Sequence, residues 1–425
     1  MDKTTAACKI GEITAHTDSI AGLGCLDDGG ILSWDSVGHV AISHTRRAGG
    51  YSSRRLDGKH FWKVQDAVQV AASRVASWSS TELILWDTEN NILLVRSIVH
   101  EAPIRGIAKL GNNYFATWAG DEVIKVWDTA SGVLVRKVSG HTNAVTSLQV
   151  RKDDFITTSD DGTLRVWTLA GESCERVLRP TNGAGLDGAS PCIDGIVVAW
   201  SGRHICVCDL AADTVRVVDA GTDKGYGYDS SKGHGWKIRG ACTVSDNRWI
   251  LTWSESNEES LKLWDAQTLE LVECFWLDND DRALDVFSVS ESGVSLGEYW
   301  SLPDAPSISF WVRGKNAIYR FEIPKSPELG SVPECLHSGH SSSTFLYRHN
   351  KRGVINGAAI LASGAIVSHS VTEAAFWMPA EDIIWTADNF VTDTSGDINA
   401  LVLLNDDRCA VAAGNLISVW GFGTR

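Results

Sequence analysis

The sequence predicts an all-β fold built from a repeated four-stranded unit. Three observations predict it: paired apolar runs ending in tryptophan that recur every 40 to 44 residues in the regular part of the chain, turn residues between the two runs of a pair, and a further apolar run on either side. VASWSSTELILWD (Val75 to Asp87) shows the pair plainly, and ATWAGDEVIKVWD (Ala116 to Asp128) repeats it.

Each pair has a first and a second mark. The first marks are Trp34, Trp78, Trp118, Thr158, Trp200, Trp253, Trp300, His369 and Ala412, each closing a short run such as ILSW or VASW. The second marks are Ser43, Trp86, Trp127, Trp167, Cys208, Trp264, Trp311, Trp377 and Trp420, closing runs such as LILW or IKVW. Segments such as SDDGT (Ser159 to Thr163) separate them by the short turn that an antiparallel hairpin requires. Outer runs such as AVTSLQV (Ala144 to Val150) and GVLVRKV (Gly132 to Val138) supply two more strands. Four strands per unit is one blade of a β-propeller. The count is nine blades, with eight as the alternative if the unit around Trp300 or the first unit is irregular.

The first strand, CKIGEITAH (Cys8 to His16), precedes the first hairpin, and the chain stops at ISVWGFGTR, one strand short of a complete ninth blade. The N-terminal strand is therefore expected to complete the last blade and close a single domain over residues 1–425, leaving no open sheet edge. Tryptophans at these marks are expected to fill the widening gap between face-packed sheets.

Composition sets outer limits. The chain has 425 residues, is 44% hydrophobic and carries a formal net charge of −15. That is apolar enough to fold. The acidity argues against nucleic acid or an anionic membrane as partner, since both need a basic surface. Ten scattered cysteines without a C-x-x-C pair read as free thiols in a reducing compartment. The N-terminus, MDKTTAACKIGEITAH, shows no secretory pattern, and a cytoplasmic location is expected. The uncharged run Gly353 to Val371 approaches membrane-span length, but Asn356, Ser363 and His369 interrupt it and it fits the repeat.

The dipeptides Trp86-Asp87, Trp127-Asp128 and Trp264-Asp265, the degenerate Trp167-Thr168 and Cys208-Asp209, and the dipeptide Gly140-His141 resemble the WD40-repeat family. The SW or TW before each hairpin turn and LWD after it are similar in style to bacterial WD40 proteins. The resemblance implies a buried hydrogen-bonded chain in the unit Gly140 to Trp167, formed by His141, Thr157, Asp161 and Trp167. It also implies that loops on one propeller face bind partners.

Three insertions between units are candidates for such loops: Arg46 to Lys63, Gly221 to Lys237, and Lys325 to Gly353. The first carries Arg46, Arg47, Arg54, Arg55 and Lys59, and the last carries Arg348, Lys351 and Arg352 with His337, His340 and His349. In a closed ring these could form one cationic patch for a carboxylate, phosphate or acidic peptide, which guanidinium groups grip in bidentate fashion. They read equally as solvated loops balancing acidic neighbours. The middle insertion offers Tyr226, Tyr228, His234 and Trp236 as a contact surface, with tucking over the core as the alternative.

Catalytic signals fail on context. GVSLG (Gly293 to Gly297) lacks the following helix of a nucleophile elbow, Cys206 and Cys208 lack partners for zinc, and DNDD (Asp278 to Asp281) lacks a calcium loop's glycine. No cofactor or metal is expected. The expected function is a non-catalytic scaffold or adaptor for a protein or peptide, acting as a monomer or within a hetero-complex. Two alternatives stay open: an inhibitor or immunity protein that neutralises a basic toxin or nuclease, and an enzyme with its site at the mouth of the central channel.

Overall fold

The structure, a computed structural model, describes residues 5–46, 50–111, 113–152, 154–168, 174–181, 183–191, 195–218, 234–244, 249–254, 261–275, 277, 282–292, 307–315, 317–324, 343–348, 354–361, 366–377, 396–404 and 407–424. Among them every regular element is a β-strand.

After β1 (Thr5–Ile13), blade 1 holds β2 (Ile20–Cys25), β3 (Ile31–Asp35), β4 (Val40–Thr45) and β5 (Tyr51–Arg55). Blade 2 holds β6 (Asp66–Ala71), β7 (Arg74–Ser79), β8 (Glu82–Asp87) and β9 (Ile92–Ile98), and blade 3 holds β10 (Ile104–Leu110), β11 (Tyr114–Ala119), β12 (Ile124–Asp128) and β13 (Leu134–Val138). Blade 4 comprises β14 (Val145–Val150), β15 (Asp154–Ser159), β16 (Leu164–Thr168) and β17 (Cys174–Leu178). Blade 5 comprises β18 (Gly188–Pro191), β19 (Ile196–Ser201), β20 (His204–Asp209) and β21 (Thr214–Val218). Blade 6 follows with β22 (Ile238–Val244), β23 (Trp249–Ser254), β24 (Leu261–Asp265) and β25 (Leu271–Phe275). Blade 7 has β26 (Ala283–Ser292), β27 (Ser307–Gly314), β28 (Ala317–Pro324) and β29 (Ser343–Arg348). Blade 8 shows β30 (Gly357–Ile360), β31 (Ile366–His369) and β32 (Ala374–Trp377) among the described residues, and β33 (Ile398–Leu404), β34 (Arg408–Ala413) and β35 (Leu416–Thr424) begin blade 9.

Within each sheet, consecutive strands pair antiparallel, and β1 pairs with β35 from Thr5↔Thr424 to Ile13↔Ile417, so the N-terminal strand completes blade 9. The chain is an all-β, nine-bladed β-propeller. It divides into two compact units, residues 1–139 with 349–425, and residues 140–348. The apolar run Gly353 to Val371 contributes β30 and β31, and no helix of the described residues is long and apolar enough to cross a membrane.

The WD dipeptide has a physical account in two parts. Trp86, Trp127, Trp264 and Trp420 each join a core shared by their own blade and the preceding one. The aspartate after the tryptophan then caps the next turn: Asp87 Oδ1 accepts from the amides of Glu89 and Asn90, and Asp265 Oδ1 from those of Gln267 and Thr268. Asp209 does the same with Ala211 and Ala212, although Cys208 replaces the tryptophan. Four residues after each aspartate the backbone turns left-handed, at Asn91, Gly132, Asp213 and Leu269.

First-mark tryptophans face the other way. Trp34, Trp78 and Trp253 join the core shared with the following blade. Their indoles also need room over the inner strand. Gly22, Gly106, Gly188 and Gly240 lie opposite Trp34, Trp118, Trp200 and Trp253, and a Cβ at those glycines would sit 2.2 to 2.5 Å from the ring. Where the mark is small the glycine is gone: Ser147 opposes Thr158, and Ala400 opposes Ala412.

Two expectations need correction. In blade 7 Trp311 lies on β27, the second strand, paired with both β26 and β28, so it is not a second mark; Trp300 lies outside the described residues. The second strand ends at Gly314, and the third strand, AIYRFEIP, carries no tryptophan. The insertion Arg46 to Lys63 is not one loop either, because Tyr51–Arg55 is the outer strand of blade 1, and likewise Ser343–Arg348 is the outer strand of blade 7. YSSRR has neither an apolar run nor alternation, and no position of this outer strand is buried.

Filling the inner-strand gap should be costly. Gly106→Ala and Gly240→Ala are each expected to lower unfolding stability by about 1–3 kcal/mol through overpacking. Ala400→Gly, opposite a small residue, should lose only about 0.5–1 kcal/mol of backbone entropy. Urea titrations of the three variants check this, and equal losses would contradict it.

Candidate interaction surface

In blades 1 to 4 the loop entering the blade from the outer strand before it lies beside the turn between the blade's second and third strands. A buried histidine ties the two in several blades. In blade 4, His141 Nδ1 is 2.9 Å from Asp161 Oδ2, its Nε2 is 2.8 Å from Thr157 Oγ1, and Trp167 Nε1 donates to Thr157 Oγ1 at 2.8 Å. In blade 3, His100, Asp121, Thr117 and Trp127 repeat the arrangement at 2.8, 2.8 and 3.0 Å.

Donor chemistry fixes the direction of these chains. An indole N–H can only donate and an ionised carboxylate can only accept. Tryptophan therefore donates to threonine, the threonine hydroxyl donates to Nε2, and Nδ1–H donates to aspartate. The imidazole is held neutral as the Nδ1–H tautomer. Burial agrees, pushing the His100 and His141 pKa down against the opposing pull of their aspartates. For Asp161, burial would raise the pKa, but hydrogen bonds from the Thr163 hydroxyl, the Thr142 amide and His141 outweigh it and hold the carboxyl well below its ordinary range.

Three more histidines occupy the same place. His16 reaches Asp35 and Ser33, both at 2.9 Å; His60 reaches Glu82 at 2.8 Å and Ser77 at 2.6 Å; and His234 reaches Thr252 at 2.7 Å, with Trp264 donating to Thr252 at 2.9 Å. Each lies 16 to 18 residues before its hydroxyl partner, a spacing legible in the sequence at all five positions. His234 is thus a fully buried core group and not a contact residue, with burial pulling its pKa down to about 3.

The predicted contact residues scatter. Arg46 is exposed at the turn between β4 and β5, whereas Arg54 and Arg55 lie at the far end of β5. Arg55 is engaged: its Nε donates to Ala15 O and one Nη to Thr17 Oγ1, both at 3.1 Å, and Arg54 donates to Thr88 O. Arg348 ends β29, and Arg47, Tyr226, Tyr228, Lys351 and Arg352 lie outside the described residues, as do Gly293 to Gly297. Trp236 is exposed at 62%, two residues after His234. In the other unit Trp62, two residues after His60, is 72% exposed and Phe61 is 73% exposed. The H-F-W triplet that presents them was passed over in favour of the neighbouring charges.

Burial raises the Cys206 and Cys208 thiols to about 12, which leaves them protonated. Asp18, Asp35 and His39 bring oxygen and nitrogen atoms within 4.8 Å of one another, but Asp35 already accepts from His16, the His39 ring and the amides of Val37 and His39.

The depressed histidines set a pH dependence. In the unfolded chain a histidine takes up a proton near pH 6.5, whereas folded His60, His100, His141 and His234 resist it. Stability is therefore full above about pH 6.5 and falls as pH drops below it. The lowered Asp161 and Glu82 add a second loss as pH falls below about 4. Urea midpoints from pH 8 to pH 3 should show both steps, and His100→Gln should make the first shallower; a midpoint flat from pH 7 to pH 5 would contradict the assignment.

Comparison with known proteins places the fold in a family context. The DENN domain and WD repeat-containing protein SCD1 of Arabidopsis thaliana is 43% identical over 58 residues, 14% of this chain and 5% of that protein. Mitochondrial division protein 1 of Mycosarcoma maydis is 25% identical over 203 residues (44% and 23%), and COMPASS component SWD3 of Saccharomyces cerevisiae is 35% identical over 91 residues (20% and 29%). The chain thus spans less than a third of the length of these relatives. No family model matches. The crystal structure of the computationally designed Ika8 protein superposes with a TM-score of 0.55 at 15% identity, covering 97% of this chain and 99% of that one, a likeness of fold alone. These relatives come from a plant and two fungi and lend no support to a bacterial repeat style. The chain is a nine-bladed β-propeller whose curated relatives are WD-repeat proteins.

Proposed function

We propose that the chain is a non-catalytic, cytoplasmic interaction scaffold that binds a protein partner on the loops entering its blades. The observation that carries this reading is the buried histidine, which pins such a loop to the second strand in five blades and, through a carboxylate, to the adjacent hairpin turn in four of them. A pinned loop holds one conformation and loses little entropy on binding. Exposed Phe61, Trp62 and Trp236 follow pinned histidines, and tryptophan is the residue type that most often dominates binding energy. WD-repeat relatives support a scaffold role in general.

Among the described residues, the carboxylates joined to buried histidines spend their hydrogen bonds inside these ties, an arrangement that holds structure in place and exposes no acid or base to a substrate. The net charge of −15 favours one further reading, an inhibitor that steers a basic toxin or nuclease into contact.

Capture from native host lysate at low and moderate salt tests both readings. The intact chain is compared with one shortened within residues 221–232 and 326–341, which spares His234 and β29. A partner bound by the intact chain and lost with the loops is expected. An acidic or neutral partner favours the scaffold; a basic one whose association rate falls steeply with salt favours the inhibitor. Capture indifferent to the loops, and to Trp62→Ala and Trp236→Ala, would remove the proposed face from consideration.

A further inference from the structure

Blade 2 departs from its neighbours at one carboxylate. The histidine of blades 1, 3 and 4 meets an aspartate, whereas His60 meets Glu82, one methylene longer. Glu82 spends both oxygens. Oε2 accepts from His60 Nδ1 at 2.8 Å and from the Phe61 amide at 3.2 Å, and Oε1 accepts from Arg96 Nε at 2.7 Å. Held this way, the Arg96 guanidinium lies 3.8 Å from the centroid of the Phe61 ring. That is a cation–π contact at the surface.

The result is an exposed aromatic pair on a fixed support. Leu56 and Val64 bury the two ends of the loop in the core between blades 1 and 2, and Trp86 Nε1 donates to Asp57 O at 2.8 Å. The His60 amide donates to Gly38 O at 2.9 Å, and Gly38, at φ +107, packs so closely that a Cβ would meet His60 O at 2.5 Å and Trp62 O at 3.1 Å. Yet Phe61 and Trp62 remain almost fully in water. Around them stand exposed Lys59 and Lys63 and the partly exposed Arg96, with Asp57 as the acid of the loop. On a chain of net charge −15 this is a local reversal of sign.

We propose that residues 57–63 with Arg96 form a cationic aromatic ledge that docks an acidic peptide segment carrying a large apolar side chain. The proposal rests on the scaffold reading and gives it a partner chemistry. Trp62 and Phe61 supply flat apolar area, and Lys59 and Lys63 meet the carboxylates that flank the apolar residue. Arg96 is a positioning residue, since Glu82 and Phe61 already engage it. The cations that face solvent here, Lys59 and Lys63, are few and confined to one loop, which matches a short acidic segment and not the extended anionic face of a membrane.

Fluorescence anisotropy with the full chain tests it, using a labelled acidic peptide with a central Phe, the same peptide with Lys for each acid, and the same peptide with Ser for Phe. The acidic Phe peptide should bind, and the other two should bind at least about tenfold more weakly. Trp62→Ala and the double variant K59E/K63E should each weaken binding about tenfold or more while leaving the urea midpoint unchanged, because all three side chains are exposed. Equal binding of the three peptides, no binding of the acidic one, or indifference to both variants would overturn the proposal. Binding to phosphatidylserine vesicles in place of the peptide would also overturn it. Lysate capture that depends on the shortened loops but not on Trp62 would sink the ledge and leave the scaffold reading standing.

Discussion

A neutral imidazole buried between a hydroxyl and a carboxylate is the constraint on which the presented surface depends. Backbone pairing builds each blade, but it does not say how the chain crosses from one blade to the next. That crossing is set where His100 and His141 stand in their chains of three hydrogen bonds. Each bond contributes about 1 kcal/mol net, but a donor or acceptor left unpaired there costs about 1–3 kcal/mol; blades 3 and 4 keep all three bonds, whereas in blade 2 Trp86 donates to Asp57 O instead of the hydroxyl of Ser77. Blade 5, where Ala199 stands at the position of the hydroxyl partner, shows that a blade can form without the histidine. The tie serves the loop more than the sheet.

Packing sets the second constraint, and it works in opposite directions at the two tryptophans of a unit. The third-strand tryptophan fills the gap toward the preceding blade, and the second-strand tryptophan fills the gap toward the following one. At Trp34, Trp118, Trp200 and Trp253 the indole lies so close to the inner strand that glycine opposes it, which couples residues about twelve positions apart in the sequence; Trp78, opposite Asp66, is the exception. That coupling was legible as Ile-x-Gly or Leu-x-Gly ahead of Trp34, Trp118, Trp200 and Trp253, but counting tryptophans alone does not find it.

The marks, the turns between them and the open last blade placed eight of the nine hairpins from sequence. The exception, blade 7, failed because Trp311 was read by residue type: its strand is closed by the turn at Gly314, and the strand after it carries Tyr319 and Phe321 in the core where a tryptophan was expected. Outer strands were the least legible elements: β5, YSSRR, lacks the apolar run that two-sided burial imposes on inner positions, and β29, STFLYR, has a short one with no tryptophan to mark it. The surface suffered from the same bias. The arginines stand out by charge, but Arg55 spends its guanidinium on the loop of His16, while the uncharged pair Phe61 and Trp62 is largely exposed to solvent, with Arg96 against the Phe61 ring. Charge is visible in a sequence; the carboxylate that holds it, Glu82 for Arg96, is visible only once strands are paired.

The account turns on the protonation state of the buried histidines, and long-range 1H–15N correlation of the histidine side chains reads it directly. His100 and His141 are expected as neutral Nδ1–H tautomers that remain so at pH 5.5. Nε2–H tautomers, or protonation of both rings near pH 6.5, would reverse the donor order from tryptophan to carboxylate and contradict the mechanism by which the loops are held.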